Sequence, residues 1–342
     1  MAKVAGVSVA SVSRALNGQH NVTDATRRRV LDAAARLRYM PNDAARSLIT
    51  KRTRTVGAVL PDLHGEFFSE LIRGMDAAAR ARGLHLLISS SHGSADEAEV
   101  LRALRGRVDG LLIMSPHADP DALAENLPAA LPTVLMNTRA PDGRYRSLSI
   151  DNYGGAHAMT RHLAAQGYRR IAFIAGPARN FDADERLRGY RDALAGLRPR
   201  AAETIVPGDF GEDSGYRAGL EIGARGALPE AIFAANDTMA IGCLFALNEQ
   251  GLKVPDDVAL AGFDDVPLAR FVSPPLTTVR VPIAELGGGA LDRLAESIDA
   301  TGAPPRPARE LSCRLVVRRS CGARVAATGA NRSRGHDKSA IE

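Results

Sequence analysis

Two hydrophobic periods divide this chain. Over the first fifty residues, apolar side chains recur at helical spacing; beyond Thr55, short apolar runs alternate with helical stretches. In the first part, residues 2–5 read as the end of a short helix, and Gly6 supplies the positive φ of a tight turn. Ser8 is placed to cap a second helix, in which Val9, Val12 and Leu16 fall at helical spacing. Thr23 is placed to cap a third, running to about Arg38 and stopped by Tyr39-Met40-Pro41-Asn42. A short helical run over 43–49 then leads to Lys51-Arg52-Thr53-Arg54-Thr55.

From Thr55 the pattern predicts strands over 56–60, 84–88, 110–114, 133–136 and 147–150, with helices over 66–82, 95–104 and 120–126 between them. Phe67, Leu71, Met75 and Ala79 share one face of the first of these helices. A second series repeats the cadence: helices over 154–166, 186–197, 214–225 and 239–250, and strands over 171–175, 203–206, 231–235 and 258–263. A helix over 283–300 and a strand over 314–317 complete it. Alternation of this kind implies parallel sheets covered by helices on both faces, and two series in tandem imply two similar lobes.

A chain of 342 residues suggests two or three domains. Its 45% hydrophobic content is ample for packed cores, and no apolar run approaches the ~18 residues of a membrane span. The N-terminus lacks the apolar core of a signal peptide. Cys243, Cys313 and Cys321 are too scattered for a disulfide framework or a zinc site, so a cytoplasmic location with reduced thiols is expected. Net charge is +5, unevenly placed: residues 1–55 carry eleven Lys or Arg against three Asp, which leaves the remainder at −3. Positive charge concentrated on one small segment points to a polyanionic partner. Helix, glycine turn, helix is also the pattern in which the second helix enters the DNA major groove. On that helix Ala10, Ser11, Ser13, Arg14 and Asn17 are small, polar or cationic, as close approach to base edges and phosphates requires. An ordinary surface helix pair would share the turn without the charge.

Ala5-Gly6-Val7-Ser8, Val12-Ser13-Arg14, Leu16-Asn17-Gly18, Thr26-Arg27, Tyr39-Met40-Pro41-Asn42 and Ala45-Arg46-Ser47-Leu48 agree in order and spacing with one known pattern. In these segments the chain resembles the headpiece and hinge of the lactose/galactose-repressor (LacI/GalR) family, and the resemblance continues to about residue 320. It implies an α-helical helix-turn-helix headpiece followed by an α/β two-lobed periplasmic-binding-protein-like core, its parallel sheets flanked by helices. The implied division is a headpiece over 1–41, a hinge over 42–54 and a core over 55–322. Lobe 1 takes about 55–150 and 281–310, lobe 2 about 151–280 and 311–322, and the chain crosses between lobes three times. Residues 323–342 have no apolar period and read as a disordered tail. Family members carry several more residues before the stretch matching Ala2-Lys3-Val4-Ala5, so a headpiece shortened at its N-terminus, or a start placed too late, is expected.

The resemblance implies a DNA-binding transcriptional regulator, most simply a repressor, under small-molecule control. Its DNA-contacting positions fall on Ser8, Val9, Ala10, Ser11, Ser13, Arg14, Asn17, Asn21, Thr23 and Thr26. Ala45 and Leu48 lie in the hinge, with Leu48 as a wedge into the minor groove; its alternative place is the headpiece core. One headpiece makes too few contacts for tight binding, so a homodimer on a palindromic operator is expected. The tail has no leucine heptad that would build a larger assembly.

In open α/β sheets, ligands bind beyond the carboxyl ends of the strands. Asp62, Ser115, Asn137, Asn236-Asp237 and Asp264-Asp265 follow strands in this way, and Arg186 is read as opening the helix after a loop over 176–185. Carboxylates, carboxamides and an Arg fork suit a hydroxyl-rich or anionic molecule, although each Asp or Asn also fits a helix N-cap. Arg186, Asn236, Asp264, Asn137 and Phe67 match effector-contacting positions of the family, which makes a sugar or sugar derivative the expected effector. Asn137 departs from sugar-responsive relatives, which often carry Asp there.

Enzymatic patterns are missing: the histidines form no HExxH, and neither GxSxG nor GxxxxGK[ST] occurs. Gly287-Gly288-Gly289 lies inside a helix pattern, and His157 and His162 read as surface residues. No enzyme activity, cofactor or metal is expected. The rival readings are a sugar-binding protein of periplasmic type without regulatory role, which needs no headpiece, and a Rossmann-like enzyme, which needs a phosphate loop or catalytic base.

Overall fold

A computed structural model describes residues 1–16, 21–39, 52–91, 94–127, 131–138, 145–197, 202–299 and 308–322. The chain divides into two units, Met1–Thr53 and Arg54–Glu342.

The first unit holds α1 (Ala2–Ala5), α2 (Val9–Leu16) and α3 (Asp24–Arg36). Gly6, at φ 62°, ends α1, a left-handed conformation that glycine adopts without strain. Ser8 Oγ accepts from Ser11 N at 3.1 Å and Thr23 Oγ1 from Thr26 N at 3.4 Å, so both expected caps form. Ala5, Val12, Ala15, Val30 and Ala33 make the core, with Met1, Ala2, Val7, Leu16 and Val22 packed around it. Val9 does not join this stripe; it is 76% exposed. Ala15 takes the inward position three residues after Val12, and its small side chain suits a close α2–α3 approach. Arg27 Nη1 donates to Ala15 O at 3.2 Å, satisfying a carbonyl at the end of α2.

In the second unit, a six-stranded parallel sheet has the order β11-β5-β4-β3-β1-β2. Its strands are β1 (Thr55–Leu60), β2 (His85–Ser90), β3 (Leu111–Ile113), β4 (Thr133–Met136), β5 (Arg146–Ile150) and β11 (Arg309–Leu311). Helices α4 (Glu66–Ala81), α5 (Ser94–Leu104) and α6 (Pro120–Asn126) connect the first of them. A four-stranded parallel sheet, β7-β6-β8-β9, uses β6 (Ile171–Ile174), β7 (Thr204–Val206), β8 (Ala231–Ala234) and β9 (Ala259–Ala261). Around it lie α7 (Asn152–Ala165), α8 (Phe181–Ala195), α9 (Glu212–Gly223) and α10 (Asp237–Glu249). The antiparallel pair β10 (Thr278–Arg280) and β12 (Arg314–Val316) adjoins it, with Ala261 bridging to Thr277. Three connections link the sheets: β5 to α7, β10 to α11 (Ile283–Asp299), and β11 to β12.

The burial pattern follows the sequence. β3, β4, β6, β8 and β9 are buried at every position, as strands covered on both faces must be. Helix α11 packs on α4 through glycines: a Cβ at Gly74 would sit 2.1 Å from Ala284 O, and one at Gly287 2.3 Å from Leu71 O. The glycine run in α11 is therefore a helix-packing surface.

One helix boundary is corrected. Helix α8 begins at Phe181, so Arg186 lies in its second turn and does not open it. Asn180 caps it by accepting from Ala183 N at 3.1 Å, and Asp182 and Asp184 lie in its first turn, where acidic groups favour the helix dipole.

Candidate functional site

A cavity of about 310 Å³ opens beyond the carboxyl ends of strands from both sheets. Its wall includes Asp62 after β1, Met114, Pro116 and His117 after β3, Pro177 after β6 and Asp209, Phe210, Gly211 and Glu212 after β7. Asn236 and Thr238 follow β8, Asp264 follows β9, and Asn180, Asp182 and Arg186 come from the start of α8. Helix α4 adds Glu66, Phe67 and Phe68.

Arg186 organises the floor and is only 3% exposed. Its Nε donates to Asn152 Oδ1 (2.8 Å), its Nη1 to Ala235 O (2.6 Å), and its Nη2 pairs with Asp264 Oδ1 at 3.1 Å. The guanidinium stacks over Phe263, 4.0 Å from the ring centroid, with Phe210 at 5.6 Å. Asn152 Nδ2 donates to Asp182 Oδ1 (2.9 Å), and Asn137 Nδ2 to Asp182 Oδ2 (3.1 Å). This chain of contacts ties the end of β4 in the larger sheet to α8 on the smaller one. Burial raises the Asp182 and Asp264 carboxyls from 3.8 to about 6, and the Arg186 charge opposes the rise.

Asp237, behind Asp264, is fully buried and pushed well above the carboxylate range by burial and by Asp264. It accepts from Thr278 Oγ1 (2.6 Å) and Val266 N (3.0 Å). Asn236 serves as the N-cap of α10, accepting from Met239 N at 2.9 Å, while its amide donates to Phe210 O at 2.9 Å. The cap reading of Asn236 and its place on the wall are thus compatible. Asp62 Oδ1 accepts from Leu63 N (2.6 Å) and His64 N (3.0 Å), which holds its loop. Phe67 and Phe68 meet edge to face at 5.4 Å.

Of the positions read from the sequence, Asp62, Phe67, Arg186, Asn236 and Asp264 come together on this wall. Ser115 and Asn137 do not. Ser115 Oγ donates to Glu97 Oε2 (3.1 Å), and Asn137, 0% exposed with φ 43°, stands behind Asp182. Sequence reasoning missed Asp182, Asn180, His117, Phe210 and the bridging Asn152. One signal was available: Asp182 and Arg186 are four apart, the spacing of an ion pair on a helix face.

In the first unit, Ser8, Val9, Ala10, Ser13, Arg14, Asn21 and Thr23 are exposed, and Ser11 and Thr26 half-buried. Ser8, Ser11, Thr23 and Thr26 share the cap hydrogen bonds of α2 and α3. Asn17, Ala45 and Leu48, and with them residues 42–51 of the proposed hinge, lie outside the described residues.

Residues 1–42 match the model for bacterial regulatory proteins of the lacI family, and residues 160–321 match a periplasmic binding protein-like domain. The transcriptional regulator CelR of Thermobifida fusca is 37% identical over 331 residues, 94% of this chain and 96% of that protein. This chain belongs to the LacI family. The ribose operon repressor of Escherichia coli K12, a further LacI-family relative, is 36% identical over 87% of this chain and 92% of its own. Among solved structures, the lac repressor dimer bound to operator and the anti-inducer ONPF superimposes with a TM-score of 0.85 at 28% identity, covering 94% of this chain and 97% of that one. A CelR–cellobiose complex gives 0.71 at 33% identity, covering 93% and 98%. This LacI-family chain is a DNA-binding transcriptional regulator and not an enzyme. No helix among its described residues is long and apolar enough to cross a membrane.

Proposed function

We propose that this regulator represses transcription as a cytoplasmic homodimer on a palindromic operator, and that a sugar or sugar derivative held in the cavity changes its operator affinity. The observation that carries the reading is the buried Arg186–Asp264 pair at the floor of a cavity between two sheets, in a chain that also carries a basic helix-turn-helix unit. Helix α2 is the recognition helix: Val9 and Ala10 meet thymine methyl groups, and Arg14 pairs with guanine or phosphate. Ser8, Ser11, Ser13, Asn17, Asn21, Thr23 and Thr26 hold the backbone, while Ala45 and Leu48 act at the minor groove. Asp62, Phe67, Arg186, Asn236 and Asp264 contact the effector; Asn137 and Ser115 support it from behind. Effector and operator couple because the effector binds two arrangements of the core with different affinity.

The test selects operator DNA from fragments flanking the gene, then measures affinity of the full chain with and without a sugar panel. A sugar that shifts affinity in the wild type, and no longer does so in Arg186→Ala, is the expected result. Sequence-indifferent binding that no panel member alters would overturn the reading.

A further inference from the structure

Among the described residues, the cavity wall carries six carboxylates, Asp62, Glu66, Asp182, Asp209, Glu212 and Asp264, against one guanidinium, Arg186. The four rim groups are solvated and screened; the floor is not. Asp182 is 5% exposed and Asp264 4%, and Arg186 is the one wall guanidinium beside them. That fork, which alone would suit an anion, already faces the Asp264 carboxylate and gives donors to Asn152 and Ala235, leaving its other N–H groups for a ligand. Asp265, the next residue along, is balanced separately by Arg280 and Arg318. Asp237 behind the floor takes its donors from Thr278 and Val266, both uncharged, so these contacts add no positive potential.

A second observation concerns hydrogen bonds. Asp264 Oδ1 meets Arg186 Nη2 outside hydrogen-bond geometry. Asp182 accepts one amide proton on each oxygen and keeps further lone pairs. The floor therefore offers a ligand more acceptors than donors. A hydroxyl or amine supplies donors there; a phosphate or carboxylate brings only more acceptors and more negative charge.

We infer that the effector carries no anionic group: it is a hydroxyl-rich ligand, uncharged or bearing an amine, whose O–H or N–H donors meet Asp182 and Asp264. Sugar phosphates and sugar acids are excluded by the buried charge. This rests on the cavity being the effector site, and it narrows the ligand class. Both floor carboxyls titrate near 6, so they are charged at neutral pH and the exclusion operates there.

The experiment is calorimetry on the full chain at neutral pH with matched probes. Glucose, galactose, ribose and cellobiose are compared with glucosamine, galactosamine, glucose 6-phosphate, galactose 6-phosphate, ribose 5-phosphate and glucuronate. The expected result is binding of at least one neutral sugar or amine, with its anionic counterpart weaker by about tenfold or more. In Asp182→Asn that gap should narrow. Because Asp182 is buried, the exposed-rim variant Glu212→Gln is measured alongside, with a smaller narrowing expected and the fold checked by circular dichroism. An anionic probe that binds as tightly as its neutral parent overturns the inference and leaves the cavity's role intact. Failure of every probe to bind overturns both.

Discussion

Arg186 carries the most demanding prediction. Arg186→Met keeps most of the apolar stem but deletes the charge. Asn152 Oδ1 and Ala235 O then lose donors at 2.8 and 2.6 Å, and Asp264 loses its ion pair at 3.1 Å. Hydrogen bonds from a charged donor are worth about 1.5–3 kcal/mol each, and stranding a buried charge costs roughly 3–5 kcal/mol. The second figure is an upper limit here, because a carboxyl that titrates near 6 can escape by taking up a proton. At about pH 7.5 that escape costs roughly 2 kcal/mol, since each pKa unit is worth about 1.4. The two lost bonds and the proton uptake together put the loss at about 5–8 kcal/mol at about pH 7.5, and roughly 2 kcal/mol less at about pH 5, where the carboxyl is already protonated. The chain has no Trp, so urea unfolding is followed by far-UV circular dichroism at both pH values. A loss below about 1 kcal/mol, or one identical at both pH values, would refute the account of the floor.

In the wild type, Asp182 and Asp264 have folded-state values near 6 against an ordinary 3.8, so the folded protein binds more protons between those limits. Stability should thus rise as pH falls through 6 toward 4, by up to about 3 kcal/mol per carboxyl; a thermal midpoint lower at about pH 5 than at pH 7.5 would contradict this. Asn236→Ala removes the α10 cap and the bond to Phe210 O, and should cost about 1–2 kcal/mol in core stability as well as weaken ligand binding. Arg14→Ala, at an exposed position, should leave the thermal unfolding of the headpiece unchanged while costing roughly 1–3 kcal/mol of specific operator affinity, read by fluorescence anisotropy.

Local chemistry made much of this molecule legible. Ser8 and Thr23 announce their helices because a cap acts over three residues. The alternation from Thr55 onward is equally local, and its elements fall within a few residues of the expected positions. The start of α8 was misplaced because the polar stretch Asn180–Glu185 resembles a loop, although Asn180 and the acidic first turn are a helix start. β10 and β11 are three residues each and exist through long-range pairing with Val316 and Ile150, which no local period encodes. The site shows the same limit. Its polar residues sit at predicted strand ends, but which of them meet depends on partners far apart in sequence: Asn137 with Asp182, Asn152 with Arg186, Arg186 with Asp264. Side-chain direction decided the fate of Ser115, which turns to Glu97. Val9 lies outside the buried stripe because Ala15 takes the inward position.

The central claim is that ligand in the cavity and DNA on the headpiece are linked through one chain. The decisive measurement is the dissociation constant of the full-length protein for its selected operator, taken with and without a ligand that raises the core's thermal midpoint. Linkage requires that such a ligand change operator affinity by about 5-fold or more, and that operator DNA change the ligand's affinity by the same factor. A ligand that stabilises the core yet leaves operator affinity unchanged would contradict the account.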